Sequence, residues 1–183
     1  MMSSDTKSDT KEVCCACRLP RAQHECEVCY EPICRTCLQR VDEATFMFQP
    51  KLPEILTHNV YCQLCYDEHV APRLETYNEV LTRAKEVFFI TLSFRGFLPT
   101  LKKAKTEISV KDCTDRDETI MRLAFLAAEA GYNSIIYGEV TSQKVRDNAY
   151  QTSRWSGHGL PAIVDEAKLR MDEMREEVWR RGR

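Results

Sequence analysis

At 183 residues and 21.2 kDa the chain has room for one domain or two small ones. Its 26 Lys and Arg nearly balance its 28 Asp and Glu, for a formal net charge of −2, so no global basic field draws it onto nucleic acid. No apolar run is long enough to span a bilayer and no apolar signal stretch follows Met-Met-Ser-Ser-Asp, so a soluble cytoplasmic protein is expected.

Residues 1–12, rich in Ser, Asp, Thr and Lys, read as a disordered leader. From residue 13 to 68 four Cys-x-x-Cys pairs follow: Cys14/Cys17, Cys26/Cys29, Cys34/Cys37 and Cys62/Cys65. Two cysteines at that spacing bracket a tight turn, and their sulfurs converge on one ion. Eight thiolates suffice for two closed tetrahedral sites, and soft thiolates select zinc or iron–sulfur over magnesium or calcium. Disulfides suit an oxidising compartment that nothing here indicates, and cluster ligation usually draws on a single set of four cysteines at closer spacing. Two structural zinc ions are the expectation.

Eight residues separate the first pair from the second, four the second from the third, and 24 the third from the fourth. The four-residue gap Tyr30-Glu31-Pro32-Ile33 favours interleaving. Cys14, Cys17, Cys34 and Cys37 would then hold one zinc, and Cys26, Cys29, Cys62 and Cys65 the other. A sequential arrangement, with the first two pairs sharing a metal, stays open. Cys15 is spare: a bystander, or a substitute for Cys14 in a slipped registry. His58 and His69 flank the fourth pair as supporting groups or alternative ligands.

The order of the pairs, the run Cys26-Glu-Val-Cys29-Tyr-Glu-Pro-Ile-Cys34-Arg-Thr-Cys37 and the ending Val60-Tyr61-Cys62-Gln-Leu-Cys65-Tyr66 resemble the FYVE zinc-finger family and related cross-brace fingers over about residues 12–70. That resemblance implies two zinc ions and, in the family, recognition of phosphatidylinositol 3-phosphate through a basic strand. Here that strand reads Ala22-Gln23-His24-Glu25-Cys26-Glu27, in which only His24 matches, and the tryptophan expected before the first cysteine is missing. Arg18, Arg21 and His24 remain as a small candidate ligand-contact patch. Between Lys11 and Val70 six basic residues face nine acidic ones, a balance of −3 that two zinc-tetrathiolate centres carry to −7. An anionic membrane attracts basic segments, so lipid binding by the finger is disfavoured and a protein-binding or purely structural finger is expected.

Leu38–Tyr61 carries Phe46, Met47 and Phe48, which are expected to pack rather than form an exposed contact loop. After Cys65 the spacing of Leu74, Tyr77, Leu81 and Ala84 predicts a connecting helix, assigned to 69–86, with Pro72 in its first turn. An α+β domain over 87–160 follows. Its predicted strands are 87–94, 106–110, 134–140 and 150–155, and its helix opens with a capping box at Asp115 and Glu118 and closes with a left-handed cap at Gly131. Residues 161–183 complete the chain as an amphipathic helix with Ile163, Ala167, Met171, Met174 and Val178 on one seam, covering the sheet or meeting a partner helix.

The expected fold class is therefore α+β: a cysteine-rich double-zinc finger, a helix and a small sandwich ordered β-β-α-β-β-α. The corner Gly131-Tyr-Asn-Ser-Ile-Ile136 resembles small bacterial domains of the YbjQ class, which suggests self-association of this half and carries no activity with it.

No phosphate loop, nucleophile elbow or metalloprotease motif occurs. Cys113 precedes a helix N-terminus, where a thiolate is favoured, and His158 sits in Ser156-Gly-His-Gly159, read as a turn. The expected function is a non-enzymatic zinc-binding adaptor whose partner is another protein or a second copy, without nucleic acid. A phosphoinositide-binding FYVE-type protein, a RING-like ubiquitin-transfer finger and an enzyme using the C-terminal sheet are the alternatives.

Overall fold

A computed structural model describes residues 12–147 and 150–169 of the chain. The leader expected over residues 1–12 lies outside the described residues except for Glu12, as do Met171, Met174 and Val178 of the C-terminal seam. The fold is α+β, in two compact units that divide between Tyr77 and Asn78.

The first unit is built from short pieces. β1 (His24–Glu25) pairs antiparallel with β2 (Pro32–Ile33), and β3 (Gln39–Arg40) with β4 (Val60–Tyr61). Between β3 and β4 lie two 3-10 turns, Glu43–Phe46 and Glu54–Leu56. The helix α1 (Gln63–Cys65) runs through a π-helical turn, Tyr66–Val70, into α2 (Ala71–Ala84), whose residues from Asn78 on belong to the second unit. Ile33, Val41, Phe46, Leu56, Tyr61, Val70 and Tyr77 are buried in this unit. Phe46 meets the edge of the Tyr77 ring with centroids 5.3 Å apart, and the Tyr77 hydroxyl accepts from the Phe48 N–H at 3.4 Å. The aromatic loop packs as expected, with Met47 alone left outside. On α2 the apolar stripe includes Val80, which is buried where the expected Leu81 is only half-buried.

The second unit is a five-stranded mixed sheet. β5 (Phe88–Thr91) runs parallel to β8 (Ser134–Asp147), and β8 runs antiparallel to β9 (Tyr150–Val164). The far edge of β9 is shared: β6 (Thr100–Lys103) pairs with its last residues, and β7 (Ile108–Cys113) with its middle, from Trp155 to Gly159. α3 (Arg116–Glu129) crosses one face and buries Leu123 and Ala127 against Ile135 of β8. On the opposite face Ile90, Ile136 and Ala162 form a second cluster, flanked by Phe88, Leu98 and Leu160.

Both ends of α3 follow local chemistry. The Asp115 carboxylate accepts from the Glu118 N–H at 2.7 Å, while the Glu118 carboxylate accepts from the Thr114 N–H at 2.8 Å. The reciprocal bond of the capping box has thus moved one residue upstream of the cap. At the other end Gly131 (φ +80°) lets its N–H reach the Ala128 carbonyl and the Tyr132 N–H reach the Ala127 carbonyl, which is the Schellman closure.

Three expectations are corrected. Thr100–Lys103 is a strand, giving three strands before α3 rather than two. The last strand does not end at Trp155, and the domain does not end at residue 160: β9 continues to Val164. The expected terminal helix starting at 161 is therefore displaced, with Ile163 in β9 and helical residues beginning at 166. The difference arises at Gly157-His158-Gly159, a sequence that signals a turn but lies within β9. These glycines are strand residues under a close neighbour. A Cβ on Gly157 would lie 2.8 Å from Thr119 Cγ2 of α3, and one on Gly159 2.4 Å from Ile135 Cγ2. Gly157 is crowded by the helix above it and Gly159 by the side chain of the neighbouring strand β8, so neither leaves room for a side chain.

Candidate metal centres

The two cross-strand pairs of the first unit carry the cysteines together. After Cys17 and after Cys29 the chain turns through a left-handed residue, Arg18 (φ +59°) and Tyr30 (φ +60°). The Arg18 N–H donates to the Cys14 carbonyl at 2.9 Å and the Tyr30 N–H to the Cys26 carbonyl at 2.9 Å. The first two pairs are thus copies of one turn. The third closes more tightly, with the Cys37 N–H on the Cys34 carbonyl at 3.0 Å. The fourth starts a helix, where Cys62 is the N-cap and its sulfur accepts from the Cys65 N–H at 3.4 Å.

β1–β2 pairing brings the third turn to the first. β3–β4 pairing brings the fourth to the second. Cys14, Cys17, Cys34 and Cys37 form one cluster and Cys26, Cys29, Cys62 and Cys65 the other, with all four sulfurs of each cluster within 4.8 Å of one another. The arrangement is the interleaved one, as in a cross-brace finger. Cys17 Sγ lies 3.8 Å from Cys34 Sγ, and Cys29 Sγ 3.8 Å from Cys62 Sγ. A tetrahedral zinc site with Zn–S near 2.3 Å has S···S edges of about 3.8 Å, so the donor sets fit a four-thiolate metal site.

Electrostatics within the clusters favour deprotonation unevenly. Burial alone would raise the Cys14 thiol, but the N–H groups of Cys17, Cys34 and Ala16 donate to its sulfur and hold it at about 6. Cys26 is similarly opposed by burial, yet N–H groups of Cys29, Cys62 and Val28 hold it at about 7. Their neighbours move the other way. Cys37 is pushed up to about 12, first by its hydrogen bond to Cys34 and then by burial, and burial raises Cys65 with help from Cys62. Against its burial, Cys34 is lowered as well by the backbone N–H groups of Cys37 and Thr36, so the first cluster holds two lowered thiols and the second holds Cys26. A bound cation would displace the remaining protons.

The other sequence candidates take varied positions. Arg21 directs Nη2 at Cys17 Sγ, 4.0 Å away, and this contact raises the guanidinium further. Arg18 is exposed on its left-handed turn, and His24 is half-buried in β1 opposite Ile33. His58 and His69 stand outside both clusters, at 3.8 Å from Glu27 and 3.9 Å from Glu68. Cys15 also stays outside, its N–H on the Pro32 carbonyl at 2.8 Å. Its thiol is raised to about 11 by burial and by the nearby Cys62 and Cys14 sulfurs.

In the second unit Cys113 is buried, its thiol 3.7 Å from the Lys111 carbonyl, and His158 projects from mid-sheet with Nε2 3.9 Å from Glu139. Sequence reasoning missed the role of Glu27, whose carboxylate accepts from the Asn59 N–H at 2.7 Å and so ties the second turn to the strand that delivers Cys62. Nothing in the spacing of the cysteines signals it, because Glu27 and Asn59 lie 32 residues apart in the chain. No helix among the described residues is long and apolar enough to cross a membrane.

No family model, curated protein or solved structure matches the chain, so the likeness to FYVE fingers rests on cysteine order and the cross-braced clusters alone.

Proposed function

We propose that this chain is a non-enzymatic, zinc-binding interaction protein in which both metals are structural. The observation that carries the reading is that each cluster supplies four cysteine sulfurs and no other donor. A zinc ion held by four thiolates has no open position for water or substrate, and closed four-ligand sites are structural. Zinc also accounts for the stability of the first unit. A single core in so small a unit rarely supplies more than about 3–5 kcal/mol, whereas a structural zinc contributes about 10–16 kcal/mol of apparent binding energy at neutral pH.

The adaptor role follows from what such a finger does best, which is to present a rigid surface. Thiolate-rich centres and acidic side chains repel anionic lipid, and the exposed Arg21 has the Cys17 sulfur as a competing partner at 4.0 Å. Another protein, or a second copy of the chain, is the partner.

Native mass spectrometry of the zinc-loaded chain tests the metal reading through stoichiometry and oligomeric state together. Two zinc ions per chain are expected, with the first unit unfolding on chelation; iron, disulfides or one ion would sink it. Flotation with vesicles containing phosphatidylinositol 3-phosphate and ubiquitin discharge from a charged conjugating enzyme test the two rival fingers. Neither assay is expected to give a signal.

A further inference from the structure

The second unit has a cavity of about 450 Å³ at the carboxyl end of β5, next to the first turn of α3. In sheets with parallel strands this is where ligands sit, because the backbone diverges there and the crossover helix begins there. Arg95 comes from the segment after β5 and Arg116 from the start of α3, 21 residues later in the chain, and both line the same concavity. Arg116 has no ion pair or hydrogen bond among the described residues, and Arg95 Nη1 donates to the Leu92 carbonyl at 3.4 Å. The Thr91 and Ser93 hydroxyls, 2.9 Å apart, lie on the same wall.

The floor is shaped on purpose. β8 slips register against both neighbours there, between Phe89 and Thr91 on one side and between Ile136 and Glu139 on the other. Tyr137 adopts φ +57°, a conformation that costs a non-glycine residue energy and persists at sites where surrounding structure imposes it. Bulges of this kind re-aim side chains beside binding sites. Glu139, next to this bulge, lines the cavity together with the two arginines, its carboxylate 3.9 Å from His158 Nε2.

The helix N-terminus does not supply the recognition, since Asp115 already caps it. The side chains do. Two guanidinium forks and two hydroxyls provide more donors than the two oxygens of a carboxylate accept, and planar guanidinium pairs match phosphoryl oxygens well. Leu92 and Val140 add an apolar wall, and the volume exceeds that of a bare phosphate.

We propose that this cavity binds a small soluble phosphate monoester. Arg95 and Arg116 hold the phosphoryl oxygens, Thr91 and Ser93 donate hydrogen bonds to them, and Leu92 and Val140 cover the carbon skeleton. Glu139 accepts from a hydroxyl or amine of the ligand and keeps bare polyanions out. The site is independent of the metal centres.

The test is an amide NMR titration of the full zinc-loaded chain with inorganic phosphate, with phenyl phosphate, and with vesicles containing phosphatidylinositol 3-phosphate. Saturable shifts confined to residues 91–95, 116 and 138–140 are expected, at least tenfold tighter for phenyl phosphate than for inorganic phosphate. Arg116→Glu should weaken binding at least tenfold, and the Arg95→Ala/Arg116→Ala variant should abolish saturation while leaving amide dispersion unchanged. Linear shifts, unaltered binding by the double variant, or a response to vesicles without one to soluble phosphate would each overturn the proposal.

Discussion

Cys17 Sγ and Cys34 Sγ lie 3.8 Å apart although they belong to different turns, 17 residues distant in the chain. The same separation recurs between Cys29 and Cys62, across 33 residues. Both edges are made by strand pairs only two residues long. Such pairs are marginal alone, so the metal sites and the strands that assemble them stabilise one another.

That coupling predicts a cross-over pattern of damage. Cys34→Ser should lose about one metal ion per chain and make Cys14, Cys17 and Cys37 alkylatable; Cys62→Ser should do the same to Cys26, Cys29 and Cys65. Metal content by mass spectrometry with alkylation mapping reads both. Exposure of Cys62 and Cys65, with Cys14 and Cys17 still protected, in the Cys34→Ser protein would contradict the interleaved clusters.

Phe46 is buried edge-on against Tyr77. Phe46→Ala should destabilise the first unit by about 3–5 kcal/mol while leaving the number of bound metal ions unchanged, because no ligand turn is touched. Thermal unfolding of the metal-loaded protein, with metal content measured in parallel, checks this. A lost ion would show that the loop positions a ligand.

The strand glycines make an unusual claim for a Gly-His-Gly segment. Gly159→Ala places a methyl 2.4 Å from Ile135 Cγ2 and should cost about 1–3 kcal/mol by overpacking. His158→Ala, on an exposed side chain between them, should be nearly neutral. Urea unfolding of the two variants should separate them; equal stabilities would mean that the segment is a free loop.

Glu118 links stability to pH. Its hydrogen bonds from the Thr114 hydroxyl and N–H, aided by Arg122 at 2.7 Å, hold the carboxyl down to about 2 from an ordinary value of 4.5. A group depressed in the folded state stabilises it above the unfolded value and loses that contribution as pH falls through the folded one. The second unit should therefore weaken from pH 4.5 toward 2. Glu118→Gln should flatten that part of the profile and cost about 1 kcal/mol at neutral pH. An unchanged acid limb in the variant would remove Glu118 from the account.

Much of the molecule is legible along the chain because its determinants are local. A Cys-x-x-Cys turn, the Asp115 cap and the Gly131 closure each depend on a handful of consecutive residues, and all appear where those residues stand. The α+β class follows from the same local patterns. What the sequence left open depends on residues that meet only after the strands pair. Interleaved and sequential clusters use the same eight cysteines, and only β1–β2 and β3–β4 pairing chooses between them. Gly157 and Gly159 look like a turn until α3 and Ile135 come close enough to exclude a side chain. Arg95 and Arg116 carry no joint signal, since their shared cavity exists only where a strand end and a helix start meet. Local backbone geometry was written in the sequence; proximity between distant segments was decided by the tertiary fold, because contact free energy depends on neighbours that sequence order does not name.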